Sequence, residues 1–127
     1  MRSYYGKMLT ETEPGLERGI LLVLSYHIGQ DNRIKRMMLR VALHAKGYES
    51  SDRHIREVIK ALRRKGFLIC SQAEDGGGYW LAKNRAEYEA FRLAELSAKR
   101  DDLIETMKAM DRAANEAWGG VIQGRLL

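Results

Sequence analysis

Apolar positions along this chain follow a helical period for most of its length, and a short interruption near the middle divides it. Leu16, Ile20, Val23, Leu24 and Ile28 recur at helical spacing. They follow Thr12, Glu13 and Pro14, residue types suited to a cap, a positive helix end and a first turn, and Gly29 supplies a stop. A second helix is expected from a cap at Asn32 to Gly47, with Ile34, Met37, Met38, Val41, Ala42 and Ala45 as its buried stripe. A turn over residues 48–50 leads to a third helix, capped by Ser50 or Ser51 and closed by Gly66. At about 100° per residue, its Ile55, Val58, Ile59 and Leu62 share a narrow sector. Arg53, Glu57, Lys60 and Arg64 take the opposite side, with Arg56 and Arg63 on a flank.

Beyond Gly66 the period shortens. Residues 67–71 and 78–82 favour two short strands, and the intervening 72–77, with Glu74, Asp75, Gly76 and Gly77, favours a hairpin loop. Tyr79 and Trp80 are neighbours in a strand, so one ring should face inward and the other outward. The outward ring is expected to pack against the following helix, with stacking on nucleic acid as the other use of it. From Asn84 the chain returns to helix and has no Gly or Pro until Gly119. A continuous helix over 86–118 would run roughly 50 Å, against about 36 Å for a compact sphere of this chain length. It must therefore break, with Asp101-Asp102 the expected place, or project and meet a partner. Leu93, Leu96, Arg100, Leu103, Met107, Met110, Ala114 and Ala117 keep alternating steps of three and four, with only Arg100 out of character. That frame predicts a coiled-coil-like seam between two copies of the chain through Leu93, Leu96, Leu103, Met107 and Met110. Folding back on its own core is the alternative. The tail from Gly119 reads as flexible, though Val121, Ile122, Leu126 and Leu127 can dock on something.

Charge sharpens this picture. Residues 33–66 hold eleven basic side chains (Arg33, Lys35, Arg36, Arg40, Lys46, Arg53, Arg56, Lys60, Arg63, Arg64 and Lys65) against Glu49, Asp52 and Glu57. That stretch carries +8 where the whole chain carries +5, so the remainder is net acidic. So concentrated a field suits a polyanion, nucleic acid being the usual one. A third helix with one aliphatic and one cationic face can pack on a core and lay its charged face along DNA.

Other chemistry is sparse. His27, His44 and His54 are scattered with no metal-ligand spacing, His27 reads as structural, and Cys70 sits in an apolar strand with no adjoining base. Gly76-Gly77-Gly78 lacks the Lys-Ser/Thr and helix start of a phosphate loop and reads as a hairpin tip. No catalytic residue, metal or cofactor is expected, and the chain reads as something other than an enzyme. The 127 residues suit one domain with an appended element. No apolar run approaches the roughly 18 residues of a membrane span, and the opening Met-Arg-Ser-Tyr-Tyr-Gly-Lys lacks the apolar core of a secretory signal. With a single cysteine, the expected location is the cytoplasm.

Three helices, a short hairpin and a further helix resemble, in that order, the winged-helix branch of the helix-turn-helix DNA-binding proteins. The string Ser51-Asp-Arg-His-Ile-Arg-Glu-Val-Ile-Lys-Ala-Leu-Arg-Arg-Lys-Gly-Phe-Leu-Ile and the later Gly76-Gly-Gly-Tyr-Trp-Leu-Ala are similar to the recognition helix and wing of small winged-helix proteins of phages and prophages. The resemblance spans about residues 14–83. It implies a mainly α fold with a small β-hairpin, a winged helix-turn-helix over 12–83, preceded by an N-terminal arm over 1–11 and followed by a long C-terminal helix over 84–118 and a tail over 119–127. It also implies that the third helix enters the major groove through Ser51, Arg53, His54, Arg56, Glu57 and Lys60, with Arg64 further along the same face.

Physical chemistry points the same way. Arg53 and Arg56 lie in the first turns, where side chains reach base edges and the helix end favours phosphate. An arginine can read guanine O6 and N7 with two bonds. Glu57 can accept from cytosine N4 or pair within the helix with Arg53 or Lys60. Lys35, Arg36 and Arg40 suit phosphate positioning. One departure from the family stands out: the wing loop carries Glu74 and Asp75 where DNA-gripping wings carry lysine or arginine. Either it stays off the backbone or it serves a protein contact.

The function so implied is sequence-specific binding of double-stranded DNA by a homodimer, as a transcriptional regulator or as an accessory factor in phage-type replication or recombination. The alternative is a winged-helix protein–protein interaction module without DNA binding, its partner held at the wing or the C-terminal tail.

Overall fold

The computed structural model describes residues 14–119. It is mainly helical, with one two-stranded antiparallel hairpin and a long C-terminal helix. Of these, residues 14–91 form one compact unit and residues 92–119 a second. The expected cap at Thr12, the arm over 1–11 and the tail beyond Gly119 lie outside the described residues.

In the first unit, helix α1 (Leu16–Leu24) runs through the centre, burying Ile20, Leu21, Val23 and Leu24. Each such aliphatic side chain removed from water contributes about 1.5–3 kcal/mol. Gly19 lets the Tyr48 ring lie directly on this helix: a Cβ there would stand 2.8 Å from the ring carbons. The helix ends earlier than periodicity predicts, at Leu24. The Ser25 hydroxyl donates back to the Leu22 carbonyl at 2.6 Å, and Ile28 leaves the helix to make a parallel bridge with Leu81.

The second helix differs more. A 3₁₀ turn (Gln30–Asn32) intervenes, and α2 spans Arg36–Ala45, with Lys35 rather than Asn32 at its N-cap. The Asn32 amide instead donates to the Tyr26 carbonyl. Ile34 is buried as an extended residue, exchanging backbone hydrogen bonds with Tyr79 at 3.0 and 2.9 Å. Leu39 and Leu43 face the core, with Ala42 half-buried beside them, while Met37 (76% exposed), Met38 and Val41 face solvent, as does Ala45. The stripe predicted for this helix is therefore largely its outer face.

Helix α3 (Asp52–Arg64) follows the sequence closely. The Ser51 hydroxyl accepts from the His54 amide at 3.1 Å, and Ile55, Ile59 and Leu62 are buried with Val58 half-buried. Strands β1 (Ile69–Gln72) and β2 (Gly78–Leu81) pair in register from Ile69–Leu81 to Gln72–Gly78. Their two faces serve different partners. Ile69, Tyr79 and Leu81 join the core of α1, α2 and α3, whereas Cys70, Trp80 and Ala82 pack with Phe91 and Tyr88 of α4 (Arg85–Phe91). Both rings are thus buried, and Trp80, at 3% exposed, lies against the following helix as expected. Asn84 caps α4 through the Glu87 amide at 2.9 Å, and the Glu87 carboxylate accepts from the backbone N–H of Lys83 and of Gln30.

In the second unit, residues Arg92–Ser97 wind as a π-helix and α5 (Ala98–Trp118) follows. The irregularity falls at 92–97, not at Asp101-Asp102, which lie inside regular helix.

Candidate nucleic-acid interface

The cationic residues of 33–66 divide into those that face outward and those that hold the fold. On α3, Arg53, Arg56, Lys60 and Arg64 are all exposed and lie within about 100° of one another around the axis, opposite the buried Ile55, Ile59 and Leu62. Arg53 pairs with Glu57 at 3.3 Å and Arg56 with Asp52 at 3.2 Å, both one turn apart. Glu57 thus makes the intrahelical pair with Arg53. Such exposed pairs are worth only about 0.3–0.5 kcal/mol each, so they hold either arginine weakly. The His54 ring is exposed in the first turn, and Ser51 sits beside it as the cap.

A second group of charges gathers around the hairpin loop. Asp75, Gly76 and Gly77 have positive φ of 54°, 80° and 77°. Across this left-handed stretch lie the stems of Arg33, Lys35 and Arg36. A Cβ on Gly77 would stand 2.8 Å from the Arg36 Nε, and one on Gly78 3.0 Å from the Arg33 Cδ. Glycine is needed here both for the backbone geometry and for the close approach of these side chains. Arg33 reaches Asp75 at 3.9 Å and the Gln30 carbonyl at 3.0 Å. One of the two loop acids therefore faces a cation of the chain itself. Lys35 and Arg36 are exposed, and Arg40 is anchored by its Nε to the Ser50 carbonyl at 3.0 Å, bracing the turn between α2 and α3.

Arg63 and Lys65, counted among the eleven charges, have other duties. Arg63 donates to the Ile69 carbonyl at 2.8 Å and the Ser71 hydroxyl at 3.0 Å, and its guanidinium stands 5.1 Å from the centre of the Phe91 ring. It ties α3, β1 and α4 together. Lys65 bonds both carboxylate oxygens of Glu17 at 2.9 Å. No sequence pattern marks these two as structural. Arg33 was likewise legible only as charge, not as part of the loop cluster.

Among the described residues, no group of His, Cys, Asp and Glu could hold a metal ion, and no helix is long and apolar enough to cross a membrane. Cys70 is fully buried, and burial, reinforced by Glu87 and opposed by Arg63, pushes its thiol up to about 12. It is a packing residue, not a nucleophile. The His27 ring lies 2.7 Å from the Asn32 carbonyl, a contact within the turn after α1.

Of the expected seam positions, Leu103, Met107 and Met110 lie on one exposed stripe of α5. Leu93 and Leu96 fall in the π-helical turn, which takes up about one residue more than an α turn. That carries Leu93 away from the stripe by up to roughly 100° and Leu96, nearer the end of the turn, by less. The chain matches no protein-family model, no curated protein and no solved structure.

Proposed function

We propose that the unit ending at Phe91 is a winged helix-turn-helix that binds double-stranded DNA with sequence preference. In this reading α3 lies in the major groove, and the protein serves as a transcriptional regulator or a phage-type replication or recombination accessory factor. The observation that carries the reading is the exposed row Arg53, Arg56, Lys60 and Arg64 on a helix whose opposite face is locked into the core. Arg53 and Arg56, in the first two turns with His54 and Ser51, are positioned for base edges. Lys60 and Arg64, later on the helix, suit backbone contact, as do Lys35 and Arg36 beside the hairpin loop and Arg40 at the turn between α2 and α3. Two copies joined through α5 would favour a site with dyad symmetry.

The test is site selection from a random duplex library, followed by titration of the selected duplex with the wild type and with R53A/R56A. Each bidentate arginine–guanine contact is worth about 1–3 kcal/mol, so the double variant is expected to lose selectivity while its thermal melting stays unchanged. Equal affinity for the selected duplex in both proteins would remove α3 from the reading.

A second reading, a docking module for another protein, draws on the exposed Met37, Met38 and Val41 of α2 and the acidic loop. Tyr79 and Trp80 are not available to it, being buried at 6% and 3% exposed. Absence of any duplex binding at 50 mM salt would make it the leading account.

A further inference from the structure

We infer that α5 pairs in antiparallel orientation with α5 of a second copy, about a centre between Met107 and Met110. The stripe that would form the seam is Arg100, Leu103, Met107, Met110, Ala114 and Ala117, stepping by three and four. Leu103, Met107 and Met110 are each more than 60% exposed. Apolar side chains so regularly spaced on a helix of nearly six turns call for a covering surface.

The order of sizes along this stripe selects the orientation. Large residues stand at its N-terminal end and small ones at its C-terminal end. A parallel, in-register pair would set Leu103 on Leu103 but Ala114 on Ala114 and Ala117 on Ala117, leaving the last layers underfilled. It would also set Arg100 on Arg100, two like charges in the seam. Reversing one helix matches Leu103 with Ala114, Met107 with Met110, and Arg100 with Ala117, so every layer combines a larger and a smaller side chain or two flexible methionines. Arg100 already fits this arrangement. Its guanidinium is drawn sideways to Asp101 at 3.3 Å, leaving its methylene stem to lie over an alanine. The stripe starts at Arg100, its first position inside α5; Leu96 and Leu93 before it lie in the π-helical turn over Arg92–Ser97.

The pairing does not depend on DNA binding.

Two single-cysteine proteins test the inference, Leu103→Cys and Ala114→Cys, each in a Cys70→Ala background and each checked for unchanged circular dichroism. They are mixed at equal concentration, bridged with a short bis-maleimide and resolved by mass spectrometry against each protein alone. The expected result is a mixed 103–114 dimer in the mixture and little product from either protein alone. Homodimers from each protein by itself would mean parallel pairing and overturn the orientation. Monomers throughout would overturn self-association through α5. Because no DNA is present, either failure leaves the DNA reading to its own test.

Discussion

Salt dependence would separate the cations proposed to meet DNA from those that hold the fold. Of the site residues, Lys35, Arg36, Arg53, Arg56, Lys60 and Arg64 are exposed, and among the described residues their charged ends make no hydrogen bond or ion pair beyond their own helix. If each neutralises one phosphate, binding should weaken with a log–log salt slope of about −5 per protomer, or about a thousandfold between 50 and 200 mM. Lys60→Gln should flatten that slope by about 0.9 and leave stability within about 0.5 kcal/mol, the norm for an exposed site. Arg63→Gln should do the reverse. Its guanidinium makes two hydrogen bonds and lies over Phe91, and losing these should cost about 2–4 kcal/mol. For a domain of this size that lowers the melting temperature by roughly 10 °C. The slope should be unchanged in protein that remains folded. Fluorescence anisotropy of a labelled random duplex across the salt range, with thermal melting of the same samples, reads both quantities. An Arg63→Gln slope flattened as much as that of Lys60→Gln, with no change in melting, would refute the division of the charges.

Two further outcomes follow from the loop and from the buried thiol. Gly77→Ala should lose about 1–2 kcal/mol from its left-handed backbone and displace Arg36, weakening duplex binding. Gly47→Ala, with φ of 90° and open space around it, should lose similar stability without the binding defect, so equal binding losses in the two variants would exclude a role for the Arg36 position. The Cys70 thiol rises from 9.0 to about 12 in the folded protein, so above pH 9 unfolding releases its proton and stability falls as pH rises toward 12. At pH 10 that loss is about 1.4 kcal/mol. Tyr79, also raised by burial, adds to it in the same direction. Urea unfolding at pH 8 and pH 10 should show a smaller alkaline loss in Cys70→Ala than in the wild type, and equal losses would contradict the buried, protonated thiol.

How far the fold was legible depended on how unequal the faces of each helix are. In α3 the apolar side carries Ile55, Ile59 and Leu62 and the other side four cations, so only one packing is physically sensible. In α2 two apolar stripes compete: Met37, Met38, Val41 and Ala45 on one side, Leu39, Ala42 and Leu43 on the other. Periodicity cannot choose between them. The choice is made by Ile34, which pairs with Tyr79 as extended chain and so delays the helix until Arg36. That pairing joins residues 45 positions apart and leaves no local signature. Similarly, the π-helical turn over Arg92–Ser97 follows no Gly or Pro, so the apparent heptad ran through it unbroken.

The candidate site was legible as charge and not as division of labour. Arg63, Arg64 and Lys65 are consecutive and alike in type, and composition assigns them one role. In space they part. One residue of helix turns the direction of a side chain by about 100°, which aims Arg63 at β1 and Phe91, Arg64 outward along the α3 row, and Lys65 at Glu17. The acceptors for Arg63 and Lys65 come from the hairpin, α4 and α1, six to 48 positions away, so only the folded chain identifies them. The same holds at the hairpin loop, whose own side chains are acidic. Its positive surface is lent by Arg33, Lys35 and Arg36 from the connection before α2 and the start of that helix, admitted to the loop backbone by glycines that read in sequence only as a turn. A loop that would be dismissed as repelling DNA thereby acquires cations from about 40 residues earlier in the chain. For that reason the acidic pair Glu74-Asp75 counts less against the DNA reading than it does in the sequence alone.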